Sequence, residues 1–86
     1  MRRLVFFDAY ASSDEVAMEI GPILRTMPGV VSYELLEARD GSPRYCLVLE
    51  VADAQDQEVA ERLQRLSRQY ADYVTGYTSR AFRRIA

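Results

Sequence analysis

In 86 residues the sequence has no histidine, lysine, tryptophan or asparagine, and only one cysteine, Cys46. Each absence removes a class of chemistry. Without lysine there is neither a Walker-type phosphate loop nor a Schiff-base nucleophile, and Gly29 and Gly41 read as turn glycines. Without histidine no base is at hand to deprotonate Cys46, so a cysteine in the middle of an apolar run reads as a small core residue. A lone cysteine also cannot staple the fold internally. A metal would have to be held by oxygen ligands such as Asp8 and Glu50, and two carboxylates without a ligand loop do not make a site, so neither metal nor cofactor is expected.

The formal charge is −2, and the arginines of the second helical segment alternate with acids. That pattern disfavours a nucleic-acid surface. No run approaches the roughly 18 apolar residues a spanning helix needs, and no signal-peptide pattern is present. No membrane partner is therefore expected, and a cytoplasmic location is the default. With no linker, repeat or low-complexity segment, residues 1–86 read as a single domain. A chain this short buries only about 60–65% of its unfolded surface, so association into a homodimer or higher homo-oligomer is expected to support it.

What remains is periodicity. Leu4, Phe6, Asp8 and Tyr10 alternate with Val5, Phe7, Ala9 and Ala11 as a first strand. Ser12-Ser13-Asp14-Glu15 forms a capping box, and Val16, Ile20, Ile23, Leu24 and Met27 recur at helical spacing. Pro22 predicts a kink or break in that helix, and Pro28-Gly29 ends it. Residues Val30–Arg39 and Arg44–Val51 alternate on either side of Asp40-Gly41-Ser42-Pro43, which predicts an antiparallel hairpin. Asp53 is the expected cap of a second helix with the stripe Val59, Leu63, Leu66, Tyr70 and Val74, and Gly76 its C-terminal stop. Residues Tyr77–Ile85 alternate as a fourth strand of open facing. Tyr70, Tyr73 and Tyr77 fall at helical or post-helical spacing that packing explains. The order is βαββαβ.

The run Met27-Pro28-Gly29-Val30-Val31-Ser32-Tyr33-Glu34-Leu35-Leu36, followed by Gly41-Ser42-Pro43-Arg44-Tyr45 and an apolar strand, resembles the dimeric α/β-barrel superfamily. That group includes antibiotic-biosynthesis monooxygenases, EthD-like proteins, stress-responsive barrel proteins and the ligand-sensing domains of Lrp-type regulators. The resemblance implies an α+β, ferredoxin-like βαββαβ fold: an antiparallel four-stranded sheet with two helices on one face, two subunits closing their bare faces into a barrel. It also implies a pocket, either between sheet and helices or inside the barrel. The family's oxygenases often rely on His, Trp or Asn, none of which occurs here, so no functional residue is carried over.

The residues offer their own candidates. Strands one and three are read as parallel central neighbours, which would set Asp8 beside Glu50 on the face turned away from the helices. Two enclosed carboxylates repel, and one would hold a proton near neutrality and serve as acid or base unless an arginine compensates. Arg80 and Arg84 are the expected compensators. Asp8 and Glu50 are thus candidate catalytic residues, with Tyr10, Tyr33, Arg80 and Arg84 as candidate ligand-binding residues. The plainer alternative makes these charges ion pairs that fix dimer register. The function expected is small-molecule binding, with cofactor-independent monooxygenase or isomerase-like chemistry. The alternatives are a stand-alone effector-binding module similar to Lrp-type ligand-sensing domains, or a non-catalytic assembly or stress-type barrel.

Overall fold

In a computed structural model, which describes residues 1–86, the elements follow in the order β1 (Arg2–Ala9), α1 (Ser13–Arg25), β2 (Val30–Glu37), β3 (Tyr45–Val51), α2 (Asp56–Gln69) and β4 (Val74–Phe82). The four strands form one sheet in the order β2-β3-β1-β4, with every neighbouring pair antiparallel. This is the expected ferredoxin-like arrangement. The core forms where the inner face of the sheet, through Val5, Phe7, Tyr45, Leu47, Leu49 and Val51, meets Val16 and Leu24 of α1 and Val59 and Leu63 of α2. Alternation thus sends one set of residues on the central strands to the helices and leaves Leu4, Phe6, Cys46 and Val48 on the other face, half-buried.

Local chemistry sets the element ends. Ser12 caps α1: its Oγ accepts the Glu15 amide at 3.2 Å, and its hydroxyl donates to the Glu15 carboxylate at 3.1 Å. Pro22 does not break α1, which runs through to Arg25. The ring lies on the exposed side of the helix, where the acceptor it orphans lies outside the core. Gly29 stops the helix with φ +94°, and a Cβ there would lie 2.8 Å from Gln55 Cβ. Both the backbone conformation and the close approach of Gln55, just ahead of α2, require glycine.

Two boundaries differ from expectation. Asp53 does not cap α2: residues Asp53–Gln55 form a single 3₁₀ turn, and the Asp53 carboxylate accepts the Met1 amino group at 2.7 Å instead. Gly76 does not stop α2 either, because the helix ends at Gln69 and Gly76 lies inside β4. There its φ of +64° coincides with a register shift between Phe6 and Asp8, where β4 carries one residue more than β1. This is a β-bulge, and the strand starts ahead of it at Val74, three residues before the predicted Tyr77.

Missing from the sequence reading is a buried ion pair beneath α2. Arg3 Nε and Nη2 donate to Asp56 Oδ1 and Oδ2 at 3.0 and 2.7 Å, and Arg3 Nη1 donates to Ser79 Oγ at 2.7 Å. The two side chains retain 10% and 14% of their exposure.

Candidate functional site

The antiparallel register overturns the expected carboxylate pair. Glu50 lies opposite Arg2, six positions along β1 from Asp8, so the two acids are roughly 20 Å apart at opposite ends of the strand. Each has its own partners. Asp8 accepts the Arg44 amide at 2.6 Å and the Ser42 hydroxyl at 2.7 Å. These bonds, that from Ser42 foremost, hold its carboxyl below the usual range, the reverse of the shift a repelling pair would produce. Glu50 accepts from Arg2 Nε at 2.9 Å.

The expected compensators do not reach either acid. Arg80 lies opposite Leu4, and its guanidinium sits 5.2 Å from the centre of the Phe82 ring. Arg84 lies beyond β4, with its Nε donating to the Ala86 carbonyl at 2.9 Å. Tyr33 belongs to the other face altogether. It pairs with Leu49 in register and packs against the core, its hydroxyl accepting from Arg25 Nη1 at 3.2 Å. A single pocket of Asp8, Tyr10, Glu50, Arg80 and Tyr33 therefore does not form.

A different concavity does. Between α1, α2 and the inner sheet face lies an open cleft of about 490 Å³, with 17 of its 20 lining residues hydrophobic. That volume falls in the usual range for small-molecule sites. One end of the helix–sheet interface is filled by Leu24, Leu49 and Val59, which are fully buried. Towards the other end β1 offers only Ala9, and Ala11 follows it, while the helices present Ile20, Ile23 and Leu66 without closing the space. Small side chains at the end of a strand leave the volume unfilled.

Tyrosines frame this open end. Tyr10, 79% exposed just past β1, is the one sequence-predicted ligand residue that lines the cleft. Tyr70, Tyr73 and Tyr77, expected to be packing residues, line it too, and the rings of Tyr70 and Tyr73 meet edge-on at 5.5 Å. The Tyr77 hydroxyl is buried and has no hydrogen-bond partner. Burial pushes its pKa up, against the smaller opposing pull of Arg3 and of Ser79, whose hydroxyl lies nearby but outside hydrogen-bonding geometry. Burial, then Glu19 and Tyr70, raise that of Tyr73. Both phenols are neutral at pH 7 and keep a proton to donate. No local signal in the sequence brings Tyr10, Tyr70 and Tyr73 together, and Tyr77 joins them because the β4 bulge reverses the facing of the strand.

Cys46 lies half-buried on the bare face, opposite Phe6 and Leu36. Burial raises its thiol pKa, so it is a poor nucleophile at neutral pH. No cluster of metal-binding side chains is present, and no helix is long and apolar enough to cross a membrane.

No family model matches the sequence, and no curated protein matches it. Among solved structures, the crystal structure of a dabb family protein with a ferredoxin-like fold from Mesorhizobium loti superimposes with a TM-score of 0.71. The match covers 99% of this chain and 96% of that one at 14% sequence identity. The likeness is one of fold, and it agrees with the architecture expected from the residues.

Proposed function

We propose that this chain binds a small, largely apolar molecule in the cleft between its helices and sheet, as one half of a homodimer whose bare sheet faces meet. The observation that carries the reading is the cleft itself: an open, apolar volume of about 490 Å³ in a chain of 86 residues. An assembly or stress-type barrel with no ligand has no use for that opening.

The dimer rests on the opposite face. Phe6, Leu4, Val48, Leu36 (47% exposed) and Phe82 (41% exposed) share it, and contiguous apolar patches of this kind mark interaction surfaces. Its outer strands carry Glu34 on β2 and Arg80 on β4, neither in an ion pair. In a two-fold arrangement Glu34 of one copy can meet Arg80 of the other, twice, so a second copy suits this face. Monooxygenase or isomerase-like turnover and stand-alone effector sensing are finer readings of such a pocket. We take binding, because Asp8 and Glu50 lie outside the cleft.

Native mass spectrometry of freshly purified protein tests both halves. The expected result is a dimer that carries a small organic adduct or takes up 1-naphthol. A monomer removes the dimer. A protein that neither carries an adduct nor binds 1-naphthol removes the cleft as a ligand site.

A further inference from the structure

Charge around the cleft is one-sided. The only formal charges among its lining residues are Glu15 and Glu19, one turn apart on α1. No arginine lines it, and two guanidinium groups that approach lining residues are engaged. Arg44 touches the Ala11 carbonyl at 3.5 Å but is paired with Glu37 at 2.9 Å, and Arg3, close to Tyr77, is bound by Asp56. Glu19 and Tyr73 both line the cleft, and the Glu19 charge adds to the burial that raises the Tyr73 pKa. Tyr73 and its edge-on neighbour Tyr70 present aromatic rings at the same opening, with Tyr10 exposed beside them.

Aromatic faces together with carboxylates, with no arginine in the lining, are the surroundings an organic ammonium group prefers: the rings attract it through their quadrupoles and the acids through charge. We propose that the ligand is an amphiphilic organic amine, its apolar body in the cleft and its ammonium group at the mouth between Glu15, Glu19 and the Tyr70–Tyr73 pair. This deepens the binding reading above and rests on it. The same charges discriminate against carboxylate ligands of equal size, which would meet two like charges on entry.

Three probes of one shape test this by isothermal titration calorimetry at pH 7, with amide chemical shifts at Ile20 and Leu66 locating the site: 2-(1-naphthyl)ethylamine, 2-(1-naphthyl)ethanol and 1-naphthylacetate. The amine is expected to bind about tenfold tighter than the alcohol, and the acetate about tenfold weaker than it. The double variant Glu15→Gln and Glu19→Gln retains a capping-box residue at position 15. It should bring the amine within about threefold of the alcohol. Acetate binding as tightly as the amine overturns the charge assignment while leaving the cleft as a site. An amine preference that survives in the double variant overturns the role of the two glutamates. If no probe binds, the cleft reading falls and this proposal falls with it.

Discussion

Arg3 holds Asp56 through two nearly parallel hydrogen bonds, and the pair fastens the first strand to the first turn of α2. With both side chains largely out of solvent, removing one partner leaves a buried charge unmatched. Asp56→Asn is expected to lower the free energy of unfolding by about 3–5 kcal/mol. The double replacement Arg3→Met with Asp56→Leu should recover most of that loss, since it removes both charges together. Urea denaturation of the three proteins measures it. Equal losses in the single and double variants would show that the site needs its shape rather than its charge balance.

Asp8 makes the hairpin between β2 and β3 sensitive to acid. Its folded-state pKa lies below the ordinary 3.8, so the stabilisation is fully present above that value and disappears as pH falls through the lower folded value. The Asp8→Asn variant should be less stable than the parent at pH 7, with a shallower decline below about pH 4. Denaturation midpoints at pH 7, 4 and 3 decide the matter. Parallel pH profiles for the two proteins would remove the linkage.

Val48→Asp places a charge at the centre of the bare sheet face, beside Leu4 and Glu34. The dimer should dissociate in light scattering at micromolar concentration. Cys46, on the same face, then becomes accessible, and its reaction with dithiodipyridine should accelerate by about tenfold or more. The rate in both proteins should rise with pH, because the thiol titrates above its usual value. A variant that stays dimeric with an unchanged thiol rate would place the subunit contact elsewhere.

Tyr77→Phe removes the hydroxyl that has no partner and keeps the ring. The protein should gain about 1 kcal/mol of stability. Thermal melting and urea denaturation read it. A loss of stability on this substitution would mean that the hydroxyl is satisfied in solution.

The sequence carried the element order well, because alternation in Val5–Ala9 and Tyr45–Val51 and the Ser12–Glu15 box are local signals with local causes. Strand direction is not local. Reading β1 and β3 as parallel placed Asp8 beside Glu50, whereas the antiparallel register puts Arg2 there. The Arg3–Asp56 pair is not legible for a related reason: its partners are 53 residues apart, and no periodicity reports such a pairing. The tyrosines of the cleft were visible individually. Their common location was not, because it depends on where α2 ends and on the conformation of Gly76.

Gly76 works as a change of phase in β4. Before it, the even-numbered Val74 faces the cleft and the odd-numbered Thr75 sits opposite Asp8 on the bare side. After it the parity reverses, so that Tyr77 turns to the cleft while Thr78, Arg80 and Phe82 occupy the bare side. One residue of extra length thus decides which of two surfaces receives every side chain downstream. Loss of a single residue at this point would turn Tyr77 to the bare side and Thr78, Arg80 and Phe82 to the helix side without altering any other letter of the strand. Length at position 76, more than composition, therefore governs how the two surfaces of this small sheet diverge.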